Sequence, residues 1–321
     1  MPHSGPVVGP GGDLVWTDLA AAPEHGAAVA RVERAMPAFL AELTAPARAR
    51  IASHDPAGTA VLLADDDEVV AAVRAVRITW DGTRSSAPAG GAGEALARAG
   101  EAGADTLAVL DVVVAEAWRG RGVGTSVLAG LDRWRRQRGA ARLLVLLRPH
   151  AKADYPLVPF ARYASFVTDL GEPFDPWLRA AWRAGLWPVR AAERSFVARA
   201  ELADWQRWLG RPVPGSGPYL VPGAVKPAIL ETERDSGGYR EPHLWATPGA
   251  VSGAASGAAT ASEAGVTFRA APASGSVSGS ASGGVGSVQP DTDDGTGWVA
   301  ALAAAGVEAG DRSHRQVRRR R

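Results

Sequence analysis

The order of apolar and polar residues predicts a chain of alternating strands and helices. Residues 13–19 alternate apolar and polar, as half-buried strands do, whereas 106–115 and 142–147 are almost wholly apolar, which is typical of strands buried on both faces. Two apolar runs around the acidic residues 65–67 indicate an antiparallel hairpin. Strands are predicted at residues 13–19, 59–64, 68–80, 106–115, 142–147, 186–189, 195–200 and 228–233.

Apolar residues spaced three and four apart predict the helices. Pro37 is expected to kink or split the first helix, and Thr125 or Ser126 to cap the one after strand 106–115. Asp175 followed by Pro176 has the pattern of a helix start. Helices are predicted at residues 27–43, 46–53, 125–138, 175–185 and 202–209, with a short helical turn in loop 85–103 and irregular helix in 151–172.

Two of these strands define the best-determined part of the fold. A buried strand (106–115), a glycine-rich loop, an amphipathic helix and a second buried strand (142–147) follow one another, and this order predicts a βαβ unit with parallel strands. Residues 186–189 and 195–200 are expected to form a separate pair that closes the sheet.

The ends of the chain have a different composition. From about Thr247 to Gly297 the residues are mostly Ser, Gly, Ala and Thr, with few large apolar side chains to offset the entropy cost of ordering. We therefore expect disorder in residues 1–12 and 248–321. One substantial core between them is expected to hold the function.

Charge and cysteine content exclude several classes of protein. The chain has no cysteine, which excludes disulfides, zinc–thiolate sites and cysteine nucleophiles. No signal peptide or membrane span is apparent, so a cytoplasmic enzyme is expected. The net charge is +1, yet the chain ends in four arginines, 318–321. Such a tail can attract nucleic acid, but we favour a solvated, disordered end.

The loop from Arg119 to Gly124 (RGRGVG) carries the chemistry. It lies where a strand leads into a helix, so unpaired backbone N–H groups and the positive end of the helix dipole converge on one point that suits a phosphate. Its glycines let the backbone approach a ligand closely, and its two arginines add positive charge. The spacing differs from the dinucleotide motif, and the lysine of the mononucleotide loop is absent.

The pattern Arg119-x-x-Gly122-x-Gly124, with its flanking strand and helix, resembles the GNAT acetyltransferase family. The resemblance implies an α/β fold whose sheet is mostly antiparallel, with one splayed parallel pair of strands. It covers roughly residues 13–201. Residues 202–247 are then expected to be a C-terminal extension packed on that domain.

The resemblance also implies the cofactor and how it is bound. The cosubstrate would be acetyl-CoA or a longer acyl-CoA, and a small-molecule or protein amine would attack it directly in a ternary complex. The backbone of Val112–Val114 would pair with the pantetheine arm, and loop amides would bind the pyrophosphate. The implied cofactor-binding residues are Val112, Val113, Val114, Arg119, Gly120, Arg121, Gly122, Val123, Gly124 and Thr125. A monomer or a homodimer is expected.

Acyl transfer needs a group that takes a proton from the amine and one that protonates the thiolate. Asp111 is the ionisable residue inside the apolar strand and is our candidate base; it can instead be a structural partner of Arg74 or Arg148, and Glu116 is a weaker candidate. His150 follows the second buried strand, at the expected mouth of the cleft.

The proton donor is harder to predict. The tyrosine that GNAT enzymes usually place before a Gly-Phe pair, in the helix after that strand, is missing here. Tyr155 and Tyr163, in the preceding segment, are the candidates to replace it. Two other hypotheses therefore stay open, a non-catalytic acyl-CoA-binding or regulatory module and a nucleic-acid-associated protein that uses the arginine tail.

Overall fold

The computed structural model describes residues 7–9, 12–64 and 67–249. The expected disorder of residues 1–12 is wrong for Val7–Gly9 and Gly12, which belong to paired strands, and the expected boundary at 248 falls on the last residue of a strand. The remaining expectations for the chain ends and for residues 65 and 66 lie outside the described residues. The strands are β1 Val7–Gly9, β2 Gly12–Asp18, β3 Thr59–Leu63, β4 Val69–Ile78, β5 Thr106–Val114, β6 Arg142–Leu147, β7 Leu186–Glu201, β8 Gly217–Tyr219, β9 Ala228–Glu231 and β10 Ser236–Pro248. The α-helices are α1 Gly26–Glu33, α2 Ala38–His54, α3 Gly91–Ala97, α4 Val123–Gln137, α5 Phe160–Ala164, α6 Pro176–Arg183 and α7 Leu202–Leu209.

All of these strands join one sheet, in the order β1-β2-β3-β4-β5-β6-β10-β9-β8, and β7 pairs with β10. Every strand pair is antiparallel except β5 and β6, which run parallel. The predicted fold class, a mostly antiparallel sheet with one parallel pair, is confirmed.

Helices cover both faces of the sheet. Along β5 and β6, alternate side chains belong to different core clusters because successive residues of a strand point to opposite faces. One face packs against α4 and α6. The other packs against α1, α2, α3 and α7. No helix among the described residues is long and apolar enough to cross a membrane.

The first two helices confirm the predicted break but not the predicted length. Pro37 separates α1 from α2, as expected. The predicted short helix at 46–53 is wrong, because α2 runs without interruption through Pro46. Pro46 is exposed, so the carbonyl that loses its N–H partner can be hydrated instead.

Helix α4 begins two residues earlier than predicted. Its N-cap is Gly122, with φ +83°, and neither Thr125 nor Ser126 caps it. Gly139, with φ +62°, ends it as expected. The left-handed backbone at Gly122 sets the direction in which the helix leaves the loop.

The end of the sheet differs most from prediction. The predicted pair of strands at 186–189 and 195–200 is one continuous strand, β7, which pairs along β10. The ladder is irregular where Pro242 of β10 lies opposite residues 193–195 of β7. A proline without an N–H is tolerated at such a bulge.

Strand β10 was not predicted, and it lies inside the sheet. One edge pairs with β7, and the other pairs with β6 at Leu244–Ala246 and with β9 at Ser236–Gly238. Residues 202–235 therefore connect two adjacent strands, and the sheet does not end at residue 201. The expected domain boundary at 201 does not coincide with an edge of the sheet.

Candidate active site

Strands β5 and β6 separate halfway along their length. They pair in parallel only from Thr106 with Arg142 to Val109 with Val145. At the point of separation β5 has a β-bulge, since Ala75 of β4 pairs with Val109 and Arg74 pairs with Asp111. The extra residue is Leu110, and such a bulge bends its strand. From Leu110 onward β5 has no strand partner among the described residues on the side that faces β6.

Val112, Val113 and Val114, the residues expected to contact pantetheine, form the free part of this strand. One edge pairs with Val73, Ala72 and Ala71 of β4. The other edge borders the cleft, so its backbone groups are available to an extended ligand. Val112 and Val114 are half-buried, whereas Val113 is buried against α1.

The glycine loop continues from this open edge to the start of α4. Gly120 (φ +75°) and Gly122 (φ +83°) adopt the left-handed conformation that favours glycine. Ser126 is the first residue whose N–H bonds back into the helix, to the Gly122 carbonyl at 3.0 Å. The amides of Val123, Gly124 and Thr125 therefore have no intrahelical acceptor and face the position expected for an anion.

Gly124 has a packing role that was not predicted. A Cβ on this residue would lie 3.0 Å from Cζ3 of Trp177, whereas one on Gly120 would meet nothing within 4 Å. Gly124 therefore lets α4 pack against Trp177 at the start of α6. The open space beside Gly120 leaves room for a ligand, and the contact of both glycines with a cofactor stays a prediction.

Two arginines flank the loop. Arg119 donates from Nη2 to the carbonyl of Ala35, beside the α1–α2 turn, at 2.5 Å. The guanidinium of Arg121 lies over the Trp118 ring, 5.3 Å from its centroid. Both side chains are exposed, and their bonds to uncharged groups leave their charge available to a diphosphate.

A charged cluster forms the β4–β5 side of the cleft. Asp111 lies 3.6 Å from Nη1 of Arg74, and its side chain is 25% exposed. Arg74 also pairs with Glu33 of α1, which bonds Nε of Arg48 at 3.1 Å. Burial lowers the pKa of Arg74, and Asp111 opposes that shift. Nε and Nη1 of Arg74 are buried without a hydrogen-bond partner among the described residues.

A second cluster forms the β6–β10 side. Arg148, directly after β6, donates to Glu241 from Nε at 2.5 Å and from Nη2 at 3.1 Å. Glu241 also accepts from Tyr239 Oη at 2.5 Å and bonds His243 Nε2 at 2.7 Å. Because a carboxylate only accepts, His243 Nε2 is the donor, and Nδ1 of the same ring hydrogen-bonds with Ser195 Oγ at 2.9 Å.

The charge on Glu241 is stabilised where it is fully buried. Burial alone would raise the pKa of this carboxyl, but Arg148 and the hydrogen bond from His243 outweigh burial and hold the pKa below its ordinary range. Burial, followed by the neighbouring Glu241 charge, raises the pKa of Tyr239. Glu241 is therefore ionised, and Tyr239 is its neutral donor.

Comparison with known proteins identifies this arrangement. Residues 28–162 match the model of the acetyltransferase (GNAT) family. The arginine N-acetyltransferase avaD of Aspergillus versicolor is 29% identical over 157 residues, which are 43% of this chain and 54% of that protein. The chain thus spans about half the length of that relative. Residues 28–162 are thus similar to the GNAT acetyltransferase family.

Solved GNAT structures resemble the chain at lower sequence identity. The loading GNATL domain of CurA from Lyngbya majuscula is 15% identical, with a TM-score of 0.43, over 73% of this chain and 96% of that one. The GphF GNAT-like decarboxylase in complex with isobutyryl-CoA is 21% identical, with a TM-score of 0.44, over 56% of this chain and 90% of that one.

The predicted proton-transfer residues occupy different environments in the structure. Tyr163 is 0% exposed and donates to Asp175 Oδ2 at 3.0 Å, while Asp175 caps α6. Burial, followed by the charge of Asp175, raises the pKa of Tyr163. Tyr163 thus has a structural partner and no solvent access. Tyr155 is 40% exposed and His150 is exposed, so both can reach a ligand more readily.

Most residues of the β6–β10 cluster were not predicted from the sequence. Glu241 and His243 lie in a segment whose prolines and glycines do not indicate a strand. Lys152 was also missed; it is buried, and Nζ donates to the carbonyls of Tyr155 at 2.7 Å and Val225 at 2.8 Å. Burial, and then Lys226, lowers the pKa of Lys152 to about 8. The Glu-x-His spacing, which puts both side chains near one another in a strand, is the one usable signal.

Proposed function

We propose that this chain transfers an acyl group, most simply acetyl, from acyl-CoA to an amine. One observation carries the proposal: the open edge of β5 leads directly into the glycine loop and the free amides of α4. An extended arm that ends in a diphosphate fits along this path. The GNAT family match supports the same cosubstrate.

Asp111 is the proposed base. Its partly exposed carboxylate lies at the bulge where β5 and β6 separate, so an amine that approaches from the α1–α2 face reaches it first. The proton of the attacking amine passes to Asp111 as the N–C bond forms and the thioester C–S bond breaks. The departing thiolate takes a proton from Tyr155, with His150 as the second candidate. This replaces the missing tyrosine of the family.

The acceptor is proposed to be a small amine. The relative from Aspergillus versicolor is named for arginine, which makes arginine the first acceptor to test. A non-catalytic acyl-CoA-binding module is the second candidate. It is favoured by the bond between Tyr163 and Asp175, which removes one of the two tyrosines from the reaction.

Titration of acetyl-CoA into the full chain, by calorimetry, tests the cofactor site. Gly120→Asp puts a carboxylate where a Cβ meets open space, at φ +75°, and its matched control is Gly139→Asp, at φ +62° with equally open space. Aspartate tolerates the left-handed conformation, so both variants should fold. We expect Gly120→Asp to weaken binding about 100-fold by charge repulsion at the phosphate position.

Gly139→Asp should bind acetyl-CoA like the parent chain. Equal loss in both variants, or no binding by the folded parent, would remove the proposed cosubstrate. Binding without acyl transfer to arginine or other amines would favour the non-catalytic module.

A further inference from the structure

Arg148 presents one uncommitted edge of its guanidinium. Nε and Nη2 hold Glu241 side-on, and Nη2 also donates to the Gly223 carbonyl at 2.8 Å. None of the described residues accepts a hydrogen bond from Nη1. The Arg148 side chain is 22% exposed. Both N–H groups of Nη1 therefore remain for a ligand.

The surrounding residues fix the direction of this edge. Glu241 is held from its other side by Tyr239 and His243, and Tyr239 Oη accepts from the Val225 amide at 3.0 Å. Gly223 and Val225 belong to the connection between β7 and β10, so that connection also holds Arg148 in place. A guanidinium fixed in this way loses little entropy when it binds a ligand.

Arg148 and the proposed base lie on the same face of the sheet. Leu144 and Leu146 of β6 pack on the face that carries α2 and α3, and Arg148 continues their alternation. Asp111 lies on that same face, in contact with Arg74, whose other partner is Glu33 of α1. The last paired position of β5 and β6 is Val109 with Val145. Asp111 follows two residues later on β5, and Arg148 follows three residues later, just after β6.

We propose that Arg148 selects the acceptor by binding the carboxylate of an amino acid whose amine faces Asp111. This inference rests on the proposed function. A singly charged carboxylate can accept a charge-assisted hydrogen bond from Nη1. A doubly charged phosphate would bring its second charge close to Glu241, which already balances the arginine. The acceptor class is therefore amino acids with a free amine and a free carboxylate.

Matched acceptor pairs test this proposal with the full chain and acetyl-CoA. Each pair differs only in the carboxylate: arginine and agmatine, lysine and cadaverine, phenylalanine and phenethylamine. Release of the CoA thiol measures kcat and KM. We expect kcat/KM to be about 10- to 100-fold higher for the preferred amino acid than for its decarboxylated partner, the size of one charge-assisted hydrogen bond.

Arg148→Lys keeps a cation beside Glu241 but removes the second N–H edge. It should raise KM for the amino acid about 10-fold or more, leave kcat nearly unchanged, and leave the plain amine unaffected. Arg142→Lys, at the other end of β6 where Arg142 pairs with Asp105, is the matched control and should keep the preference. If Arg148→Lys unfolds, Arg148→Gln combined with Glu241→Gln removes both charges together.

The outcomes separate the two proposals. Plain amines used as well as amino acids by the parent chain, or equal losses for both in Arg148→Lys, would overturn the role of Arg148 and leave acyl transfer standing. Failure to acylate any of the six compounds would overturn both, and the acetyl-CoA titration would then show whether the cofactor site survives.

Discussion

The two sides of the cleft differ in how completely their charges are hydrogen-bonded. On the β4–β5 side, Arg74 is buried with Nε and Nη1 unbonded among the described residues, and Asp111 lies 3.6 Å from it. On the β6–β10 side, Glu241 receives hydrogen bonds from Arg148, His243 and Tyr239. The carboxylate of Asp111 has one long charged contact, whereas that of Glu241 accepts hydrogen bonds from three residues.

This difference fits the proposed role of Asp111 as the base and a structural role for Glu241. A carboxylate in a loose ion pair, partly open to water, can gain and lose a proton during a reaction without disturbing its neighbours. A fully buried carboxylate with several donors stays charged and fixes those donors in position. We therefore expect substitutions on the first side to lower turnover and those on the second to lower stability.

Asp111→Asn should have the largest effect. Loss of the base should lower kcat about 1,000-fold, within the usual range for proton transfer by a side chain. The free energy of unfolding should change by less than about 1 kcal/mol because the carboxylate is partly solvated. Steady-state kinetics and urea unfolding measure the two effects. Glu116→Gln is the control; if it slows turnover as much, the base has been placed on the wrong residue.

Glu241→Gln should destabilise the protein by about 3 kcal/mol, because Arg148 loses its counter-charge in a buried environment. Urea unfolding near neutral pH measures the loss. If the variant proves as stable as the parent, Glu241 does not hold the β6–β10 side together.

The same carboxylate predicts a pH dependence. Its pKa in the folded chain lies below the ordinary value of 4.5, so its stabilising contribution is complete above that value and is lost as the pH falls toward the folded pKa. The parent should therefore lose stability between about pH 5 and pH 3, and Glu241→Gln should lose less over that interval. Parallel pH profiles for the two proteins would contradict this assignment.

Substitutions of Tyr155 and Tyr163 test which residue protonates the departing thiolate. Tyr155→Phe should lower kcat about 10-fold with little change in stability. Tyr163→Phe should instead cost about 1–2 kcal/mol, because Asp175 loses a buried donor, and should leave kcat nearly unchanged. The reverse pattern would make Tyr163 the donor despite its burial.

Ser195→Ala should have the smallest effect, a loss of about 1 kcal/mol. Its hydroxyl hydrogen-bonds with His243 Nδ1 at 2.9 Å and accepts from the Ala92 amide at 3.2 Å. Ser165→Ala, which loses one bond in an exposed turn, is the matched control and should be neutral. A large loss of turnover in Ser195→Ala would show that the hydrogen-bonded chain through His243 takes part in the reaction.

Local sequence signals predicted the parts of the site that are contiguous in the chain. The βαβ unit, the position of the glycine loop between β5 and α4, and the start of α6 at Asp175 follow from spacing and from the Asp-Pro pattern, and this geometry is confirmed. The binding role of the loop stays a prediction. The bulge at Leu110 could not be predicted from the sequence, because nothing in an apolar run indicates which residue is unpaired. The packing of Gly124 against Trp177 could not be predicted either, since it depends on how the helices α4 and α6 pack against each other.

The contacts of the β6–β10 side could not be predicted for a different reason. Arg148 and Glu241 are 93 residues apart, and their contact depends on β10 entering the sheet beside β6. Strand propensity argues against β10, whose glycines and Pro242 are tolerated only through bulges and a long partner strand. Tertiary pairing, not local preference, makes this segment a strand.

The place of β10 also bears on how the chain matures as it is made. Strand β6 is complete at residue 147, but its neighbour on the far side from β5 is synthesised about a hundred residues later, up to Pro248. Until then β6 has an open edge, β7 lacks its partner, and Arg148 has no counter-charge. The glycine loop can thus form on a growing chain before the proposed acceptor side does. A chain that ends before β10 is complete would have the loop but would lack the strand that carries Glu241.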